Sequence, residues 1–305
     1  MNAAQFSWLP DAPGPLYRLQ GDEANLYYAP GYLLRVKRSS VPAVEQQLYD
    51  QGPAACQAGV DSLRAHSMQA RQEWNELLKH AYKPQSLHLY LNQRCQLACR
   101  YCYSDLPELR DSAEISIDAI YAAASLVAKN CAEKNLPLVI VFHGGGEPVL
   151  SWRLIDRVQP ELHRLADFHG IPLFRYLATN GVMSEQRAHW LAHSFDLVGL
   201  SIDGPPDIQT HQRPLRHPGG NSIPIILRTA RILQESGCPV HVRVTLTAES
   251  ASRQAEICLY LCENISPRSI SVEPVYRGGR ADSSMLLQEE QLDDFVKSFF
   301  EARVE

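Results

Sequence analysis

The sequence predicts an α/β fold, a partial (β/α)6 TIM-like barrel preceded by a small N-terminal α+β module. From residue 86 onward, short apolar runs alternate with helical periodicity, which is typical of βαβ units that form a parallel sheet. Residues 1–82 lack this alternation. We therefore expect two domains, the module in residues 1–82 and the barrel in residues 83–305.

Six segments of the second domain have the apolar content and flanking turn residues of buried strands. They are residues 86–92, 136–143, 172–180, 195–203, 239–247 and 268–275. The predicted helices are residues 115–134, 152–170, 184–194, 223–237, 249–264 and 286–305. Ser116 and Ser184 are expected N-caps, Pro160 is expected to interrupt its helix, and Gly237 to end another. Six such units form three-quarters of an eight-unit barrel, and an open doubly wound sheet is the alternative.

The N-terminal module shows a different pattern. Residues 17–36 are predicted to form two strands around a turn at Pro30 and Gly31. Residues 41–80 are predicted to form helices with a break at Gly52 and Pro53.

Composition excludes several classes of protein. The chain has 305 residues, 45% of them hydrophobic and 21% charged, and a net charge of −5, so nothing indicates a nucleic-acid or anionic-membrane partner. No apolar run approaches the ~20 residues of a membrane span. The N-terminus lacks the pattern of a signal peptide, which favours a cytoplasmic protein whose thiols stay reduced.

Three cysteines follow the first predicted barrel strand. Cys95, Cys99 and Cys102 have the spacing C-x3-C-x2-C. Three thiolates that close can hold three irons of a [4Fe–4S] cluster and leave the fourth iron open to a substrate or cofactor. A zinc site and a chance group of buried thiols are the alternatives. Loops that follow strands form the active face of such barrels, so this loop is expected there.

The second strand runs into three glycines, Gly144, Gly145 and Gly146, followed by Glu147. Glycines allow a backbone to approach a ligand and to adopt positive φ, and the glutamate offers a carboxylate to a cation. The alternative is a glycine turn followed by a solvated acid.

The third and fourth strands also end in polar residues. Asn180 is either a ligand contact or a simple turn residue. Ser201 and Asp203 alternate along the fourth strand, so they are expected to present a hydroxyl and a carboxylate to the same side. That pair suits a ribose, although Asp203 could instead cap the next turn.

A polar stripe, Arg243, Thr245 and Thr247, occupies one side of the fifth strand. A strand buried on both faces is usually apolar, so the stripe predicts a wet pocket. Glu273 on the sixth strand could face the same pocket. Arg243 and Glu273 either form a structural ion pair or bind substrate.

Together these motifs resemble those of the radical S-adenosylmethionine enzymes, over roughly residues 86–303. The cysteine spacing with Tyr101 before the last cysteine is similar to their cluster motif. Residues 145–148 are similar to their motif for the methionine amino group, and residues 201–205 to their ribose-contacting strand. The subgroup most similar is that of the SPASM-type peptide and protein maturases, which includes anaerobic sulfatase-maturating enzymes.

The resemblance implies that S-adenosylmethionine binds the open iron and is cleaved to a 5′-deoxyadenosyl radical, which abstracts hydrogen from a peptide or protein side chain. It implies that Glu147 holds the amino group, that Ser201 and Asp203 hold the ribose, and that Tyr101 lies near the adenine. Gly145, Gly146, Asn180 and Thr245 complete the expected cofactor contacts. A flavodoxin- or ferredoxin-like protein is the expected electron donor.

Two other functions stay open from the sequence, a radical enzyme for a small metabolite and a non-catalytic metal-cluster scaffold. Members of the subgroup usually carry a C-terminal cysteine-rich domain, so we expect this chain to stop before one. The N-terminal module is expected to bind a precursor peptide as an added strand or to cap the barrel.

Overall fold

The computed structural model describes residues 6–9, 12, 14–21, 23–49, 57–104, 114–217, 220–288 and 291–302. The chain forms two compact units, residues 1–82 and 83–305. In the part of the chain that the structure describes, no helix combines the length and apolar character that crossing a membrane would need.

The first unit contains a four-stranded antiparallel sheet and two helices. The strands are β1 (Phe6–Trp8), β2 (Tyr17–Leu19), β3 (Ala24–Ala29) and β4 (Tyr32–Lys37), and they lie in that order. The helices are α1 (Val41–Tyr49) and α2 (Gln57–Lys79). The predicted break at Gly52 and Pro53 lies outside the described residues.

The predicted hairpin is β3 and β4, with the turn at Pro30 and Gly31. Gly31 has φ +85°, a left-handed conformation that favours glycine. The range predicted as two strands contains three, because β2 forms a separate short strand before Gly21. Three-residue strands such as β1 and β2 are too short to show a period of two in a sequence, so the pattern could not predict them.

The second unit contains a six-stranded parallel sheet. Its strands are β5 (Ser86–Leu89), β6 (Leu138–Phe142), β7 (Leu173–Thr179), β8 (Leu197–Ser201), β9 (Val240–Leu246) and β10 (Ser269–Pro274). Its helices are α3 (Ile117–Glu133), α4 (Trp152–His169), α5 (Glu185–Ser194), α6 (Pro206–Gln212), α7 (Ile223–Glu235), α8 (Gln254–Ile265) and α9 (Leu292–Glu301).

The strand order distinguishes the two predicted architectures. The six strands lie in unbroken chain order from β5 to β10, and every neighbouring pair is parallel. A doubly wound sheet would reverse its order at a switch point. Right-handed crossovers without a reversal put all the helices on one face and curve the sheet into a barrel segment. The predicted α/β partial barrel is confirmed.

The core of this unit lies between the sheet and the helices. Alternate strand residues such as Ile140, Phe142 and Val242 are fully buried against it. The opposite residues of the same strands include polar side chains, which face the barrel interior. This division explains how a strand buried on both faces can carry a polar stripe.

One helix prediction is wrong, one short helix was not predicted, and two caps are confirmed. Helix α4 continues through Pro160, because a stripe of buried residues on both sides of the proline holds the helix against the sheet. The short helix α6 has too few turns to show a helical period. Ser116 and Ser184 both accept the backbone hydrogen bonds expected of N-caps, from Ala119 and Arg187.

Candidate active site

A cavity of about 430 Å³ lies at the carboxyl ends of the barrel strands. Most of the predicted site residues line it. They are Cys95, Cys99, Tyr101, Cys102, Gly145, Gly146, Glu147, Asn180, Ser201, Arg243, Thr245 and Glu273. The topology brings these residues together from loops up to 180 positions apart, because parallel strands end at the same edge of the sheet.

The cysteine loop, residues 95–102, follows β5 and carries three free thiols. Burial raises the pKa of Cys95 to about 11 and that of Cys99 to about 12, so both are protonated at neutral pH. Metal ligation requires thiolates, so binding would release these protons. Three polar groups lie beside the sulfurs. Asn180 Nδ2 lies 3.6 Å from Cys95 Sγ, and Ser104 Oγ lies 3.7 Å from Cys102 Sγ. The backbone N–H of Leu97 donates to Cys95 Sγ at 3.4 Å.

A single-ion site needs three or four ligand side chains around one point. Among the residues that the structure describes, no three His, Cys, Asp or Glu side chains are grouped so that they could hold one metal ion. In a [4Fe–4S] cluster each thiolate binds a different iron, so the sulfurs lie farther apart than they do around zinc.

The three glycines pack against the chain that leads into the cysteine loop. Gly144 and Gly145 have φ values of +73° and +64°. A Cβ on Gly146 would overlap the backbone of Arg94, and Gly146 N–H donates to Asn92 O at 2.6 Å. The glycines thus let two loops of the site lie against each other. This packing role is separate from the predicted approach of the backbone to a ligand.

We expect the substitution Gly146→Ala to destabilise the protein by about 1–3 kcal/mol, because a methyl group there forces the backbone of Arg94 to move. Urea unfolding of the metal-free protein measures this change. Gly278→Ala is the matched control, since its Cβ would meet only the Tyr276 ring at an ordinary 3.5 Å. Equal midpoints for the two variants would contradict the packing argument.

Glu147 is buried, with 3% of its surface exposed, and its carboxylate accepts three hydrogen bonds. The donors are Thr179 Oγ1 at 2.7 Å, Asn180 N at 2.8 Å and Val149 N at 3.1 Å. Burial raises the pKa of Glu147, and the three bonds oppose that rise. The residue is therefore not the solvated acid of the alternative interpretation. It joins the exits of β6 and β7 while contributing to the cavity wall.

Asp203 lies behind the cavity wall, which differs from its expected position beside Ser201. It is fully buried and does not line the cavity. Tyr101 OH donates to Asp203 Oδ2 at 2.5 Å, and Arg213 Nε forms an ion pair with Oδ1 at 3.1 Å. Gln212 and the backbone N–H of Thr245 donate to the same carboxylate at 2.8 and 3.1 Å.

Arg213 completes this buried network and was not assigned a role from sequence. Its Nε donates to Tyr101 OH at 2.6 Å, and its Nη1 donates to Ser201 O at 3.3 Å. Its guanidinium lies 5.6 Å from the centre of the Tyr101 ring. Burial lowers the pKa of Arg213, but the charge of Asp203 raises it and the net shift is upward, so Arg213 remains a buried cation beside the cysteine loop. Arg213 also lines the cavity.

Arg243 and Glu273 also line the cavity and form an ion pair, with Arg243 Nη2 3.3 Å from Glu273 Oε2. Their side chains are 32% and 59% exposed, so the ion pair faces solvent within the cavity. His143, at the exit of β6, also lines the cavity. Burial and the positive charge of Arg243 lower the pKa of His143, which is therefore neutral at neutral pH. Arg243 and Thr245 of the predicted polar stripe thus line the cavity together with Glu273, whereas Thr247 donates to Gln212 Oε1.

Three tyrosines of the cavity wall were also missed by sequence reasoning. Tyr90, Tyr103 and Tyr276 are each at least 42% exposed. The rings of Tyr103 and Tyr276 lie 6.3 Å apart, and those of Tyr90 and His143 lie 5.9 Å apart. Tyr90 and Tyr276 follow the ends of strands, and Tyr103 follows Cys102. Those positions are the signal in the sequence from which the three tyrosines could have been predicted.

The residues of the cavity fit a cluster and a polar cofactor. Three thiols face one space, and Gln93 lines it with a buried Oε1 that accepts no hydrogen bond from the described residues. Such an atom is costly unless a ligand or water donates to it. Cys95, Cys99 and Cys102 would hold the cluster, and Gln93 and Ser201 offer polar atoms to a second group.

A parallel partial barrel with a three-thiol loop at its carboxyl edge defines the class of cluster-dependent radical proteins. A model of the radical SAM superfamily matches residues 89–256, more than half of the chain. The chain belongs to this superfamily. Its members use a [4Fe–4S] cluster and S-adenosylmethionine, which confirms the two predicted cofactors at the level of the family.

Individual relatives are similar over part of their length. A cysteine-type anaerobic sulfatase-maturating enzyme of Clostridium perfringens is 32% identical over 121 residues, which cover 39% of this chain and 32% of the relative. A second such enzyme from that species is 27% identical over 171 residues, which cover 55% of this chain and 46% of the relative. The chain therefore spans about a third to a half of the length of these curated relatives.

Two solved structures share the fold. Native anSMEcpe with bound AdoMet and Cp18Cys peptide has a TM-score of 0.61 and 22% identity, over 71% of this chain and 59% of that one. Streptococcus suis SuiB bound to precursor peptide SuiA has a TM-score of 0.50 and 12% identity, over 98% of this chain and 71% of that one.

Proposed function

We propose that this chain is a radical S-adenosylmethionine enzyme that modifies a side chain of a peptide or protein. One observation carries the proposal: the three cysteines, the glycine loop and Ser201 all line the same cavity. The maturase relatives support a peptide or protein substrate, since one is a sulfatase-maturating enzyme and another is bound to a precursor peptide.

When bound, the cluster supplies the electron that cleaves S-adenosylmethionine and so generates a radical able to abstract hydrogen from carbon. The residues of the chain position and shield this chemistry. Glu147 and Gln93 offer acceptors to the methionine amino group, and Ser201 offers a hydroxyl to the ribose. Asp203 acts indirectly, because it fixes Tyr101 and the backbone of Thr245 at the cofactor side of the cavity.

The substrate side of the cavity is formed by Arg243, Glu273 and the three tyrosines. These side chains line the cavity and remain partly exposed. An exposed aromatic rim with one ion pair suits a peptide, whose amides and side chains offer both polar and apolar contacts. The N-terminal module would bind another part of the same peptide along β1 or β4, the two edge strands of its sheet.

The proposed function is tested with the protein reconstituted anaerobically with iron and sulfide, reduced, and supplied with S-adenosylmethionine. We expect 5′-deoxyadenosine to form. A peptide digest from cells grown in deuterated medium is then added, and deuterium in the 5′-deoxyadenosine is measured by mass spectrometry. A flavodoxin- or ferredoxin-like protein should replace the chemical reductant, because the cluster needs one electron at low potential.

The matched control is the small-molecule fraction of the same deuterated cells. Deuterium transfer from the peptides alone supports the proposal. Transfer from the small molecules alone would show that the substrate is a metabolite. No formation of 5′-deoxyadenosine by the iron-loaded, reduced protein would show that the radical function itself is wrong.

A further inference from the structure

Residues 212–216, which we name the template segment, run alongside the cysteine loop like a neighbouring strand. Leu97 and Leu215 form an isolated antiparallel bridge. Three backbone hydrogen bonds join the two segments: Ala98 N to Pro214 O at 2.8 Å, Arg100 N to Gln212 O at 2.9 Å, and Arg216 N to Gln96 O at 2.8 Å. The loop that carries the thiols therefore has a paired backbone.

Arg216 adds a second set of contacts to the same loop. Its Nε donates to Cys95 O at 3.1 Å, and its Nη2 donates to Leu97 O at 3.2 Å. A guanidinium presents its donors in a rigid planar fork, so one side chain fixes the positions of two carbonyls. These carbonyls bracket the first turn of the loop after Cys95.

The template segment is anchored from behind to the barrel. Gln212 Nε2 donates to Asp203 Oδ2 at 2.8 Å and to Thr245 O at 3.1 Å, and its Oε1 accepts from Thr247 and Ser250 at 2.8 and 3.0 Å. Gln212 is 3% exposed, so these bonds are shielded from water. The position of the segment is thus set by the ends of β8 and β9.

We propose that the template segment, with Arg216 as its positioning residue, holds the cysteine loop in its cluster-binding shape before any iron is bound. Ordering an irregular loop costs conformational entropy, and a loop that is already paired loses less when the cluster binds. This inference rests on the cluster-binding part of the proposed function and not on the identity of the substrate.

The first test needs no metal. Amide hydrogen exchange of the metal-free full chain is followed by mass spectrometry for peptides that cover residues 95–102, in the parent protein and in Arg216→Gln. Arg231→Gln is the matched control, since Arg231 is an exposed arginine on α7. We expect exchange of these peptides to accelerate at least about tenfold in Arg216→Gln and to stay unchanged in the control, because two hydrogen bonds from a charged group are lost.

The second test measures cluster retention as the loss of iron to a chelator from the reconstituted protein. Arg216→Gln should release iron about tenfold faster than Arg231→Gln, and Arg216→Lys should be intermediate because lysine keeps the charge and loses the fork. Thermal unfolding of the metal-free variants shows whether each remains folded.

The proposal is overturned if the loop peptides of the folded parent protein exchange at the rate of an unstructured chain. It is equally overturned if folded Arg216→Gln or Arg216→Lys matches the control in both exchange and iron release. A variant that retains less iron but still yields 5′-deoxyadenosine from its loaded fraction leaves the proposed function intact. This comparison separates the two ideas.

Discussion

Replacing Cys99 with serine is expected to abolish the iron–sulfur cluster, reducing iron from ~4 atoms per reconstituted chain to well below one. With serine at this position only Cys95 and Cys102 remain as thiolate ligands at the cavity. Two thiolates leave two irons of the cluster without protein ligands, and a hydroxyl is a poor replacement because it is far harder to ionise. Production of 5′-deoxyadenosine should fall below detection.

Cys262→Ser is the control for this experiment, because Cys262 is an exposed free cysteine on α8. It should retain the iron, sulfide and visible absorption of the parent protein. If Cys99→Ser kept a full complement of iron and sulfide, the assignment of the three cysteines as cluster ligands would be wrong.

Replacing Arg213 with methionine is expected to lower the free energy of unfolding by roughly 3–5 kcal/mol, the range found when one partner of a buried ion pair is removed. The substitution leaves the fully buried Asp203 without its cation, although Tyr101, Gln212 and Thr245 still donate to it. Urea unfolding of the metal-free protein measures this loss without involving the cluster.

Arg253→Met is a suitable comparison, since Arg253 pairs with Asp207 and Glu256 at the surface. Pairs of that kind contribute about 1 kcal/mol or less. The double variant Arg213→Met with Asp203→Asn should recover part of the loss, because no unpaired charge then remains buried. If Arg213→Met unfolded at the same urea concentration as Arg253→Met, the buried charge would not be what stabilises this part of the site.

The strand–helix units could be predicted because buried strands of a parallel sheet are short apolar runs, and amphipathic helices show their own period. The polar residues that follow these strands then predicted most of the residues that line the cavity. Asp203 is an exception for a specific reason. Its carboxylate is covered by Tyr101, Arg213 and Gln212, and no local pattern in the sequence shows that these side chains meet there.

Contacts between distant segments were not available from local patterns. The pairing of Leu97 with Leu215 and the bonds of Arg216 join positions more than 110 residues apart. Arg213 was visible in the sequence only as one arginine in a loop, since its meaning depends on the burial of Asp203. The continuation of α4 through Pro160 likewise depends on packing that outweighs a local preference.

Strands β5 and β10 are the two margins of the barrel sheet, and among the described residues they do not pair with each other. At the mouth, however, the chain after β10 reaches the cysteine loop, where Arg280 N donates to Cys102 O at 3.0 Å. Among the described residues, the two edge strands are thus linked near the cysteine loop but are not hydrogen-bonded to each other along their length. Because the cavity lies at this same end of the sheet, the hydrogen bond links the first and last strands of the barrel beside the three thiols.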